Sequence, residues 1–137
     1  AVEIFLKDLT NKNKEIEYLP KATPTKIKEK WNIALEYEKS ARSFDFAVYN
    51  KDNKKLYLFE VNFFNDGGSK LKSVCGEFKS LFLELKKQNI ELIWITDGFG
   101  WKATARPLEE TFNLNNYVFN FNMLSLGILT EVIKFNN

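Results

Sequence analysis

Phe44-Asp45-Phe46-Ala47-Val48-Tyr49, then Asn50-Lys51-Asp52-Asn53-Lys54, then Leu56-Tyr57-Leu58-Phe59-Glu60-Val61-Asn62-Phe63-Phe64: the reading of the whole chain turns on this stretch. Two runs rich in aromatic and β-branched residues flank a cluster of turn formers, which predicts a β-hairpin. The second run is apolar almost throughout, as a central strand covered on both faces requires. Each run nevertheless holds one carboxylate, Asp45 between Phe44 and Phe46, and Glu60 between Phe59 and Val61. An ionised carboxylate taken out of water loses several kcal/mol of hydration unless it is paired, hydrogen-bonded or bound to a metal. Successive strand residues point to opposite faces, so the flanking apolar side chains can face one layer and both acids the other. Across a paired hairpin the two acids would then meet and repel. A divalent cation between them removes that conflict. Asn62 lies two positions after Glu60 and therefore on the same face.

Downstream, Asn65-Asp66-Gly67-Gly68 breaks the strand, and Ser69 is a good cap for a helix reaching about Gln88. Leu71, Val74, Cys75, Phe78, Leu81, Phe82 and Leu85 recur at spacings of 3 and 4, so one face of that helix packs on the sheet. Lys70 falls in its first turn. Unpaired amides at such a helix start attract anions, and glycines let a backbone approach closely, so a phosphate could dock there. The plain alternative is a helix start and nothing more. Glu91 to Thr96 reads as the next strand, which makes a right-handed β-α-β crossover and a parallel pair. Asp97-Gly98-Phe99-Gly100-Trp101-Lys102 is then a loop at the carboxyl end of that strand. Pro107 opens a short helix to about Phe112, Tyr117 to Phe121 is a last strand, and Met123 to Ile133 a closing helix.

Upstream, residues 2–6 read as a short strand, and 7–19 show no clear period. That segment is either an edge element or, over about 1–20, the tail of a missing N-terminal region, since Ala1 stands where an initiator methionine would. Thr23 and Pro24 predict the cap and first turn of a helix over 24–39, with Ile27, Trp31, Ala34 and Leu35 on one stripe. Glu38 continues the stripe toward Asp45. It is either an exposed helix-end acid or a third acid for the metal site, with Glu29 as its rival, and the sequence does not choose.

Composition bounds the chemistry. The chain has 137 residues, 45% of them hydrophobic, which suits a single domain with one core, and a net charge of +2, from which no nucleic-acid partner can be inferred. There is no histidine and only one cysteine, Cys75. That excludes an internal disulfide, thiolate metal clusters, imidazole bases and Ser-His or Cys-His nucleophiles. Carboxylates, lysines and a hard cation remain. No apolar run approaches the roughly 20 residues of a membrane span, and nothing at the N-terminus reads as a secretion signal.

The predicted order is α-β-β-α-β with an added α-β-α, an α/β fold with a mixed central sheet flanked by helices. With Asp45 in one strand and Glu60-Val61-Asn62 in the next, it resembles the PD-(D/E)xK nuclease core, in which Asp and Glu bind Mg²⁺ and a third residue, usually Lys, assists the attacking water. Asn62 departs from that pattern, because an amide can neither take a proton nor carry charge. Arg42-Ser43-Phe44-Asp45-Phe46, Glu60-Val61-Asn62-Phe63-Phe64, Gly67-Gly68-Ser69-Lys70-Leu71 and Ile95-Thr96-Asp97-Gly98-Phe99-Gly100-Trp101-Lys102 are similar to the narrower DpnII/MboI group of restriction endonucleases, which cut at GATC. The likeness spans about residues 41–115. Glu-x-Asn is familiar in that group, whereas an Arg is usual where this chain has Gly76, and members often have a longer chain with an added N-terminal region.

The resemblance implies a type II restriction endonuclease, a cytoplasmic enzyme hydrolysing double-stranded DNA with Mg²⁺ and acting as a homodimer. It implies Asp45 and Glu60 as metal ligands; beside them, amide chemistry lets Asn62 orient the water without deprotonating it, and Lys70, the nearest cation by sequence, is assigned to stabilise charge on the phosphate. Ser69, Lys70, Trp101, Lys102 and Arg106 are the candidate DNA contacts; a packed loop is the plain alternative for the last three. A non-catalytic DNA-binding or assembly module on the same fold, and a repair or junction nuclease, stand as the competing readings.

Overall fold

The computed structural model describes residues 2–36, 42–63, 69–97 and 118–135, with 69–72 and 97 as backbone only. Among the described residues the chain runs α1 (Val2–Lys12), β1 (Ile16–Ala22), α2 (Pro24–Trp31), β2 (Phe44–Asn50), β3 (Lys55–Phe63), α3 (Ser69–Lys86), β4 (Ile90–Asp97), β5 (Val118–Phe119) and α4 (Phe121–Ser125), then a π-helical turn at Thr130–Lys134. The strands form one sheet in the order β1-β2-β3-β4-β5. The first three pair antiparallel, and β3-β4 and β4-β5 pair parallel. The expected mixed sheet with flanking helices is therefore what forms, with β3 at its centre.

Local chemistry sets the hairpin. The Asn50 Oδ1 accepts from the backbone N–H of Asp52 at 2.9 Å, an Asx turn. Lys54, at φ 57°, then swings the chain into β3. The crossover helix α3 buries Cys75, Phe78, Leu81, Phe82 and Leu85 against one face of the sheet, together with Leu56, Leu58, Leu92 and Trp94. Large apolar side chains contribute roughly 1.5–3 kcal/mol each on full burial, which outweighs the roughly 1 kcal/mol that Gly76 costs inside the same helix. The opposite face holds Val48, Tyr57, Phe59, Ile93 and Ile95 beneath α1 and the C-terminal segment.

Three sequence expectations are corrected, and the edge element left open before residue 20 is found. Residues 2–6 are not a strand but the start of α1, whose Val2, Leu6 and Leu9 are buried on one face. Residues 16–22 form edge strand β1; Pro20 is compatible with a strand only because β1 has a single neighbour. The helix expected over 24–39 stops at Trp31, because Asn32 takes a left-handed conformation (φ 58°) and its N–H donates to the Lys28 carbonyl at the helix end. Its cap is as expected, with the Thr23 side chain accepting from the Lys26 N–H at 3.2 Å. The closing helix expected over 123–133 is divided by Gly127 at φ 87°. Among the described residues no helix is long and apolar enough to cross a membrane.

Candidate active site

The site forms where β2 and β3 part. Their ladder runs to Phe46 opposite Phe59, and the next residues along the two strands are Asp45 and Glu60. Beyond the last paired residues the backbone of β2 no longer satisfies β3. The Asp45 side chain takes over, its Oδ2 accepting from the Val61 N–H at 2.8 Å. Alternation puts Phe46, Phe59 and Val61 on the α1 side of the sheet, leaving Glu60 and Asn62 on the α3 side in continuation of Leu56 and Leu58. Phe44 departs from that pattern and is buried in the α3-side core, beneath the Arg42 guanidinium 5.2 Å from its ring centroid.

Asp45 and Glu60 interact directly, and the consequence falls on Glu60. Burial pushes its carboxyl up to about 7, the adjacent Asp45 charge adds to the rise, and Arg42 opposes it. The opposition comes from an ion pair between Arg42 Nη2 and Glu60 Oε1. Among the described residues Glu60 thus has one cation and one like charge for neighbours.

Next to it, Asn62 receives a hydrogen bond on Oδ1 from the Trp94 indole N–H. Trp94 lies opposite Glu60 in the parallel β3-β4 register, is 1% exposed, and stacks on Phe78 of α3 at 4.9 Å between centroids. Arg42, Glu60, Asn62 and Trp94 line one cleft of about 540 Å³, whose opposite wall is α3 with Gly76 and Glu77. A Cβ built on Gly76 meets nothing within 4 Å, so a side chain can leave the helix there without a clash at its first atom.

The structure thus brings together Asp45, Glu60 and Asn62. Among the described residues no group of three acids or other ligating side chains forms, so Glu29, exposed on α2, does not join the pair. Glu38, Trp101, Lys102 and Arg106 lie outside the described residues, and of Ser69 and Lys70 only the backbone is described, opening α3. Sequence reasoning did not assign Arg42 or Trp94 to the site. Arg42 stood inside a quoted motif without a role; Trp94 could have been found from the β-α-β register, which sets it beside Glu60.

The donor set suits a hard divalent cation. Among the described residues two carboxylates share one position with a single guanidinium as counter-charge, and Mg²⁺ commonly binds through one or two carboxylates, filling its remaining positions with water and substrate phosphate.

Residues 1–131 match the family described as DpnII restriction endonuclease. The type II restriction enzyme MjaIII of Methanocaldococcus jannaschii is 46% identical over 134 residues, which cover 96% of this chain and 46% of that protein. The type II restriction enzyme DpnII of Streptococcus pneumoniae is 40% identical over 94 residues, 68% of this chain and 32% of that one. The chain thus spans less than half the length of these relatives. In overall shape it is similar to the MunI restriction endonuclease, solved in complex with cognate DNA, with a TM-score of 0.54 and 15% identity over 94% of this chain and 89% of that one. At that identity the likeness speaks for the fold alone.

Proposed function

The chain belongs to the DpnII restriction endonuclease family, and from that premise we propose that it carries the catalytic part of a type II restriction endonuclease, hydrolysing double-stranded DNA at GATC with Mg²⁺ as a homodimer in the cytoplasm. The observation that supports this reading most is the meeting of Asp45 and Glu60 at the point where β2 and β3 separate, with Arg42 as the one counter-charge of Glu60 among the described residues. Mg²⁺ held by these two residues would supply positive charge to the scissile phosphate and ease ionisation of a nearby water.

The remaining roles belong to the protein. Ser69 and Lys70 open α3, following Gly67-Gly68 in sequence, where the main-chain amides of a helix start and a lysine ammonium suit a phosphate. Trp101, Lys102 and Arg106 follow β4 in sequence and are assigned to DNA contact. Asn62 completes the set from the same face as Glu60. A palindromic site read on both strands calls for two-fold protein symmetry, hence the homodimer.

The test is incubation of the chain with a plasmid containing GATC sites, in Mg²⁺ and in chelator. Cutting at GATC in Mg²⁺ alone is expected. Binding without cutting would replace this reading with that of a DNA-binding module, and cutting at branched or unspecific sites with that of a junction nuclease.

A further inference from the structure

Asn62 occupies the position where the wider nuclease pattern carries a lysine, and its chemistry depends on which end of its amide faces the cleft. The two ends differ only in which atom is O and which is N, so a neighbour must decide. Here the neighbour is the Trp94 indole, which has one N–H and no acceptor. It can therefore bond only the Asn62 oxygen, as it does. Trp94 is itself held: it is 1% exposed and its ring lies on Phe78 at 4.9 Å with 28° between planes. Glu60 stands two residues before Asn62 and opposite Trp94, so the three side chains share one wall of the cleft.

The indole engages the Asn62 oxygen and fixes which end of the amide is which, so the NH₂ group is the end turned away from Trp94 and left to donate into the cleft that both residues line. A water poised for in-line attack needs one lone pair toward phosphorus and acceptors for its protons. An amide NH₂ supplies no acceptor and competes for the lone pairs, so it suits that water poorly. It suits a non-bridging phosphate oxygen well, since that atom is anionic and accepts only.

We propose that Trp94 is a positioning residue whose indole N–H fixes the Asn62 amide with its NH₂ toward the cleft, so that Asn62 donates to a non-bridging oxygen of the scissile phosphate instead of orienting the attacking water. This rests on the nuclease reading above. Asn62 is then the catalytic group, taking over the donor function of the lysine without its charge, and Trp94 acts only through it.

The Trp94→Phe chain keeps an aromatic ring against Phe78 and loses the N–H. Its single-turnover cleavage rate per folded molecule should fall about tenfold, with affinity for a GATC duplex in Ca²⁺ unchanged and a melting temperature lowered by the smaller ring in a packed core. Asn62→Ala should lower the rate at least as far, and Trp94→Phe should add nothing in that background. Independently of activity, the Trp94 indole ¹H–¹⁵N resonance of the DNA-free chain should move upfield in Asn62→Ala. Should Trp94→Phe lose its fold, Asn62→Asp serves in its place. Its carboxylate still accepts the indole N–H but offers no donor, so the indole resonance persists as a bonded one while cutting falls about a hundredfold. Wild-type cleavage by Trp94→Phe or Asn62→Asp, additive losses in the double variant, or an indole resonance indifferent to Asn62→Ala overturns the inference alone. A wild-type chain that does not cut DNA removes the nuclease reading and this inference with it.

Discussion

Two glutamates sit in neighbouring strands of the same sheet, and the molecule treats them in opposite ways. Glu91, at the start of β4, is fully buried, and its Oε1 receives both the Lys55 ammonium at 3.3 Å and the Lys86 ammonium. Glu60, near the end of β3, has one guanidinium and a second carboxylate. A buried acid with two cations on one of its oxygens is an ion cluster that ties β3, α3 and β4 together. A half-buried acid that has, among the described residues, one cation and one like charge is a place where positive charge is still wanted. An acid inside an apolar strand is thus not in itself a sign of function. The count of opposite charges around it decides.

The largest expected effect follows from that contrast. Asp45→Asn or Glu60→Gln should lower cleavage of a GATC duplex by roughly a thousandfold or more, with circular dichroism unchanged. Glu91→Gln should cut the same duplex at the wild-type rate per folded molecule. If both glutamates gave the same loss of activity, the distinction between them would collapse.

Glu91→Gln should instead lose stability, since removing one partner of a buried pair leaves the other uncompensated. Urea denaturation should report a loss of about 3 kcal/mol. For Glu60 the sign reverses with pH. Its carboxyl is raised from 4.5 to about 7 in the folded chain, so its contribution is fully present below pH 4.5 and is lost as pH rises through 7. In metal-free buffer the chain should therefore be less stable at pH 8 than at pH 4.5 by about 3 kcal/mol from this group, and Glu60→Gln should flatten that part of the profile. A wild-type profile that rises steadily from pH 4.5 to 8 while the Glu60→Gln profile runs parallel to it would show that Arg42 already compensates Glu60 fully.

The smallest effect concerns the cleft wall. Gly76 is exposed in the middle of α3, and a Cβ there meets nothing. Gly76→Ala should stabilise the chain by about 1 kcal/mol and leave Glu60 chemistry untouched; a loss of stability would mean that the cleft is tighter at α3 than its open space indicates.

The hairpin, the crossover and the burial of α3 were legible because each rests on a period that local sequence displays. The meeting of Asp45 and Glu60 followed from strand alternation alone. What escaped depended on partners distant in the chain. Val2 to Leu6 is a short apolar run that fits helix and strand equally, and its stripe emerges only when Leu9 is counted. β1 was hidden by Pro20, which an edge strand tolerates. The role of Trp94 exists only in the register of β3 with β4, and that of Arg42 only once Glu60 is folded beside it.

The most direct measurement is anomalous scattering from crystals of the chain grown with Mn²⁺ and a GATC duplex. A peak between the Asp45 and Glu60 carboxylates, with Arg42 drawn away from Glu60 and no peak at Glu91, is the expected result. Arg42 still paired with Glu60 and manganese bound elsewhere in the same crystal would contradict the assignment of the two carboxylates as metal ligands.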